Sequence, residues 1–170
     1  MHGHSAALAT DAAEALLLVG NPNVGKSVVF GHLTGRYATV SNYPGTTVEI
    51  ACGQRRGAAE VVLDLPGANS LQPSSEDEQV TRDVLLERAA AGHARVVQVC
   101  DAKNLRRALP ITIQLAELQV PVAILANMMD ECRARGIDLS TRELATELSV
   151  DVLDTVATEG PGWRRCSTIA

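Results

Sequence analysis

The segment Gly20-Asn21-Pro22-Asn23-Val24-Gly25-Lys26-Ser27 constrains this chain more than any other. It follows the continuous apolar run 15–19, the mark of a strand buried on both faces, and precedes a helical stretch over 26–33 that Gly35 stops. A glycine-bounded turn between strand and helix that ends in Lys-Ser matches the pattern GxxxxGK[ST]. The glycines let the chain wrap closely, so successive backbone amides point inward, and the helix N-terminus adds partial positive charge. Such a concavity cradles phosphate oxygens. Lys26 is placed to reach terminal phosphates and Ser27 to offer its hydroxyl to Mg2+. Asn21, Pro22, Asn23, Val24 and Gly25 form the rest of the loop.

Beyond it, strand patterns over 47–51, 60–65, 95–100, 121–126 and 152–156 alternate with helical ones. The helices run over 76–91 and 105–118, the latter irregular near Pro110, and from the capping box Ser140-Thr141-Arg142-Glu143 to Leu148. This alternation predicts an α/β fold, a mostly parallel sheet with helices on both faces. The strands over 47–51 and 60–65, joined by a short turn, supply one antiparallel edge pair. The segment 36–45, with Ser41, Asn42, Pro44 and Gly45, reads as a loop. A length of 170 residues is one domain's worth. The expected division is a flexible tail over 1–14, one domain over 15–162 and a C-terminal tail over 163–170.

A net charge of -5 argues against broad binding to nucleic acid, and an aromatic content of 2% leaves too few rings to stack on bases. Cys52, Cys100, Cys132 and Cys166 lie far apart without CxxC spacing, which disfavours a zinc site. The stretch 108–129 contains Pro110 and Pro121 and reads as helix then strand rather than as a membrane span. No basic start marks a secretory signal, so a soluble chain is expected.

Three further stretches carry chemistry. Asp64-Leu65-Pro66-Gly67 ends an apolar strand, which places the Asp64 carboxylate near the phosphate loop to hold the Mg2+ shell, and the Gly67 amide to sense a third phosphate. Asn127-Met128-Met129-Asp130 follows the strand over 122–126. There Asn127 can address the O6/N7 edge of guanine while Asp130 accepts from N1 and N2; adenine lacks that donor pair, so discrimination is large. Val156-Ala157-Thr158 after the last strand fits a loop that supports the base through a backbone amide. Thr46 or Thr47 can complete Mg2+ coordination, and Thr47 is favoured because it abuts a strand.

These elements, in this order at strand ends, resemble the guanine-nucleotide-binding family of P-loop proteins. In detail GNPNVGKS, VSNYPGTTVE, DLPGANSL, NMMD and VATEG are similar to the cytoplasmic G domain of the ferrous iron transporter B (FeoB) family. The resemblance runs from about Leu16 to Gly160 and implies a Ras-like G domain. It implies Thr47 as the switch I threonine, Asp64 and Gly67 as switch II, Asn127 and Asp130 as guanine readers with Met128 in place of the usual lysine, and Ala157 behind the base. It further implies that Asn23 holds a K+ ion where other G proteins place an arginine finger. Lys26, Asn23, Thr47 and Gly67 are then the residues closest to catalysis.

Departures from the family pattern are Tyr43 for a common Trp, and Gly31 in a helix where Asn is usual. Ala68 stands where Ras-like proteins place a water-orienting Gln, which implies slow hydrolysis. Only residues 163–170 follow Gly162, so the closing helix reads as missing or truncated, with Trp163 an expected anchor. The implied function is GTP binding with slow Mg2+-dependent, K+-stimulated hydrolysis. It would act at the inner face of the cell membrane, on an iron-transporting membrane portion outside this chain. Two other readings stay open: a soluble Era-like GTPase of RNA maturation, and a non-hydrolysing nucleotide sensor.

Overall fold

The computed structural model describes residues 14–35 and 38–158. The expected N-terminal tail before Glu14, the boundary at 162, the closing segment and Trp163 lie outside the described residues. All six residues of β1 (Ala15–Gly20) are buried, as the unbroken apolar run requires of a central strand. Around it lie α1 (Lys26–Thr34), β2 (Ala38–Asn42), β3 (Glu49–Gln54), β4 (Val61–Asp64) and α2 (Glu76–Ala90). There follow β5 (Ala94–Asp101), α3 (Leu105–Glu117), β6 (Val122–Asn127), α4 (Met129–Ala134), α5 (Thr141–Leu148) and β7 (Asp151–Asp154).

Among the described residues, seven strands form one sheet in the order β2-β3-β4-β1-β5-β6-β7. Strands β4, β1, β5, β6 and β7 are parallel neighbours, whereas β3 runs antiparallel to both β4 and β2. This is the Ras-like G-domain arrangement. The chain leaves β1 for the β4 side and then crosses to β5 on the other side. That reversal opens a crevice at the carboxyl end of β1, where such sheets take ligands.

Alternation along β1 supplies both cores. Leu16 and Leu18 pack with Val29, Phe30 and Leu33 of α1, and Leu17 and Val19 pack with Val84 and Leu85 of α2 and Ile111 of α3. Helix α2 starts where expected: Ser75 caps it by accepting from the Glu78 amide, and Glu76 and Asp77 lie in the first turn. Pro110 sits inside α3, exposed, and does not interrupt the helix.

At the end of the sheet away from the crevice, Glu60 accepts from Arg55 and, at 3.1 Å, from Arg95. Arg55 and Glu60 are buried. Charges taken out of water persist only when paired, and this triad locks the lower ends of β3, β4 and β5 together.

Two elements differ from the sequence expectation. Residues 38–42, expected as loop, form the edge strand β2, so the antiparallel edge is one strand wider than the single pair. The strand is exposed over most of its length, with Val40 59% accessible, and therefore carries no burial pattern to betray it. The second is α4, whose six residues follow Met128 in the left-handed conformation (φ 62°) without a side-chain cap.

Candidate functional site

Gly25 ends the loop at the N-terminus of α1 with φ 87°, a left-handed conformation that glycine adopts without strain. A Cβ there would also lie 2.4 Å from Asn127 Nδ2, so the position demands glycine on two grounds. The turn it completes borders a cleft of about 370 Å3 lined by Asn21, Pro22, Asn23, Gly25, Lys26, Ser27, Val28, Gly67 and Asp77.

Lys26 Nζ donates to Asp64 Oδ1, and Ser27 Oγ donates to Asp64 Oδ2 at 2.7 Å. Asp64 owes its place to β4, which pairs with β1 at Leu18↔Asp64 and so brings the carboxylate beside the loop leaving β1. One acid thus gathers the ammonium and the hydroxyl that the motif assigns to phosphate and metal. Gly67 lies against Pro22: a Cβ on it would come within 2.9 Å of the proline ring, and only glycine lets the two backbones approach this closely.

Asn21 is buried, and its Nδ2 donates to Ala68 O at 3.3 Å and to Asn69 Oδ1 at 3.2 Å. Its amide therefore ties the phosphate loop to residues 68–69. Asn23, by contrast, is exposed on the cleft in the left-handed conformation (φ 65°), which asparagine tolerates. Val24 turns its side chain into the α1-side core and contributes its backbone to the site.

The second half of the site is joined to the first through Asn127. This residue is 2% exposed; Nδ2 donates to Val24 O at 2.9 Å and Oδ1 accepts from Ala157 N at 2.9 Å. Sequence reasoning assigns Asn127 to the base edge. The structure uses one N–H and one carbonyl lone pair within the protein, which leaves the second N–H and the other lone pair for a ligand. Asp130 is exposed, and no described residue hydrogen-bonds its side chain. Met128 is half-buried with Sδ 3.5 Å from Lys103 Nζ, and Lys103 also donates to Glu131 at 2.7 Å. The Glu131 hydrogen bond, with the Asp101 carboxylate beside it, raises the Lys103 pKa. Val156 and Thr158 flank Ala157 in the loop after β7.

Thr47 is not brought to the cleft. Thr46 closes the preceding turn, donating to Tyr43 O at 3.0 Å and accepting from Val48 N at 3.1 Å. Thr47 projects from this turn exposed, without a side-chain hydrogen bond among the described residues. Residues 66–75 are held by α2 and α3: Glu78 accepts from Asn69 N at 3.0 Å and from Ser74 N at 2.9 Å, Thr81 donates to Pro66 O at 3.0 Å, and Gln114 accepts from Leu71 N at 2.7 Å. The hydrogen bonds from the Ser74 and Asn69 amides lower the Glu78 pKa. Ala68 is fully buried.

Sequence reasoning misses Asp77, which reads as an acid favoured by the helix dipole and which also lines the cleft. It also singles out no role for His32, whose Nε2 stands 2.6 Å from Ala157 O. No motif signals either contact, because both depend on how distant elements meet.

The model of the family "Ferrous iron transport protein B" matches residues 14–169. The Fe(2+) transporter FeoB of Staphylococcus aureus (strain COL) is 38% identical over 149 residues, which cover 88% of this chain and 22% of that protein. FeoB of Leptospira interrogans serovar copenhageni is 39% identical over 137 residues, 79% of this chain and 19% of that protein. This chain thus spans about a fifth of the length of these relatives. Among solved structures, a point mutant of S. thermophilus NFeoB bound to GDP superposes with TM-score 0.83 at 35% identity, covering 92% of this chain and 61% of that one. The G domain of T. maritima FeoB superposes with TM-score 0.81 at 32% identity, covering 91% and 94%. The match decides against the Era-like alternative. With its phosphate loop, its Ras-like sheet and these relatives, the chain belongs to the ferrous iron transport protein B family.

Proposed function

We propose that this chain binds GTP and GDP with Mg2+ and hydrolyses GTP slowly, with stimulation by K+. We propose further that the cycle regulates ferrous iron passage through a membrane portion of the kind its longer relatives carry, from the cytoplasmic side. The observation that carries the reading is the meeting of Lys26, Ser27 and Asp64 at one cleft whose loop is tied through Asn127 to Ala157. A similar solved protein is bound to GDP. Among the described residues no helix is long and apolar enough to cross a membrane.

The donor set suits the ions. Asp77 lines a cleft meant for a polyanion and the Asp64 carboxylate stands just behind Ser27 there, an arrangement that a hard cation reconciles, and Ser27 and Asp64 offer the oxygen ligands Mg2+ takes. Asn23 offers a side-chain oxygen to K+ from the rim. When bound, both ions supply positive charge to the phosphate oxygens.

The chain's own residues do the rest. Backbone amides of the loop hold the phosphates, and Lys26 exchanges Asp64 for their terminal oxygens. The Gly67 amide donates to the third phosphate, and Thr47 would offer its hydroxyl to Mg2+ once residues 43–48 fold over the cleft. Asp130 accepts from guanine N1 and N2, with Met128, Val156, Ala157 and Thr158 around the base. Water attacks the third phosphate in line, the bond from its phosphorus to the bridging oxygen breaks, and GDP leaves with that oxygen while the water's oxygen goes to inorganic phosphate. Ala68 offers no polar group to orient that water, which makes the reaction slow. Loss of the third phosphate then loosens the segments 38–50 and 66–80, edge strand β2 and the first turn of α2 included.

Single-turnover hydrolysis in KCl and in NaCl, for the wild type and Asn23→Ala, tests the mechanism, and calorimetry with GDP, GTP and ATP tests the base. A K+-dependent rate lost in Asn23→Ala, with guanine preferred, is expected. Turnover in neither salt, with guanine binding intact, favours the second reading, a nucleotide sensor, which the buried Ala68 methyl supports. Equal affinity for ATP and GTP overturns the base assignment.

A further inference from the structure

His32 lies on α1, six positions beyond Lys26, and its imidazole Nε2 stands 2.6 Å from the carbonyl oxygen of Ala157. A carbonyl carries no proton, so the imidazole donates, and Nε2 bears the hydrogen. The N–H of the same Ala157 donates to Asn127 Oδ1 at 2.9 Å. Both polar backbone groups of Ala157, a residue 4% exposed, are therefore gripped by side chains, one from α1 and one from the end of β6. The phosphate-loop glycines and Lys26 require no donor at position 32. Its partner is the loop read here as lying beside the base.

The surrounding ties show why this contact matters. Thr155 N donates to Ala126 O at 2.9 Å and Met129 N donates to Thr155 O at 3.2 Å, so the chain is fixed to β6 as far as residue 155. The Thr155 hydroxyl is buried without a partner among the described residues and adds no further tie there. From there on, the Asn127 and His32 contacts hold Ala157. Asn127 reaches from the end of β6 and also donates to Val24 O of the phosphate loop, while His32 joins the loop directly to the helix whose first turn carries Lys26 and Ser27.

We propose that His32 is a positioning residue for the guanine nucleotide: it fastens residues 156–158 to α1 and slows release of the bound nucleotide. The inference rests on reading 127–130 and 156–158 as the base site. A ligand leaves when the segment over it opens, and opening must break this hydrogen bond. Its loss speeds release about three- to tenfold, the range that one net hydrogen bond supplies.

The test is stopped-flow release of mant-GDP from the 170-residue chain and from His32→Ala, His32→Gln and His32→Asn, with the melting temperature of each nucleotide-free protein. The Gln amide nitrogen falls where Nε2 lies, and the Asn amide nitrogen falls short. Faster release from the Ala and Asn variants, with association unchanged and with Gln close to the wild type, is the expected pattern. Wild-type release from His32→Ala overturns the proposal. So does equally fast release from the Ala and Gln variants together with a common fall in melting temperature, which marks a merely structural residue. A wild-type chain that takes up no GDP overturns the base-site reading itself, an outcome distinct from both.

Discussion

Asp64 accepts the Ser27 hydroxyl at 2.7 Å on one carboxylate oxygen while the other takes the Lys26 ammonium. The carboxylate is 8% exposed and the lysine 11%, so their charges depend on each other. Asp64→Asn should destabilise the nucleotide-free chain by about 3 kcal/mol, the cost of stranding one member of a buried pair. It should also abolish the improvement that Mg2+ makes to GTP affinity in calorimetry. A Mg2+ effect of wild-type size in this variant places the ion on other ligands.

Asn127 bridges Val24 O and Ala157 N from a buried position, and removing it leaves both backbone groups without a partner. Asn127→Ala should cost about 2–4 kcal/mol in urea unfolding of the nucleotide-free chain, since each stranded group costs about 1–3 kcal/mol. Asn127→Asp keeps an acceptor for Ala157 but sets a charge against the Val24 carbonyl, so it should be no milder. Guanine binding should be lost in both. Stability unchanged in either variant refutes the bridge.

Glu78 ties residues 69 and 74 to α2, and the Ser74 and Asn69 amides hold its carboxyl below the ordinary 4.5. A folded-state pKa below the unfolded one gives stability that is complete above the unfolded value and lost as pH falls through the folded one. Glu78→Gln should therefore be less stable than the wild type near neutrality, by about 1–3 kcal/mol for lost bonds to a charged acceptor. The gap should close as the medium is acidified below pH 4.5. Urea midpoints between neutrality and strongly acidic buffer measure it, and a gap that widens in acid refutes the assignment.

Much of this molecule is legible in its sequence. The apolar run over 15–19 announces the buried β1, and the helical pattern over 76–91 announces α2, because both signals are local. Lys26, Ser27 and Asp64 can be named because strand ends of a parallel sheet share one rim. What a sequence does not show is the contact whose partner lies far along the chain. Asn127, expected to read the base, also holds Val24, 103 positions away, and Asn21 holds residues 68 and 69. His32 reaches Ala157 across 125 positions. A polar side chain in a sequence shows what it can bond to, and the fold decides which candidate arrives. Strand β2 stays hidden for another reason: an exposed edge has no inside face to pattern.

The buried cluster of Glu60 with Arg55 and Arg95 acts as a clamp at the foot of the sheet. Strands β3 and β4 are rooted there, so a displacement of residues 43–48 at the opposite rim has a fixed fulcrum beneath it. In the cycle proposed above, motion started by a nucleotide would thereby be directed outward, toward whatever stands over that rim, rather than dissipated through the foundation.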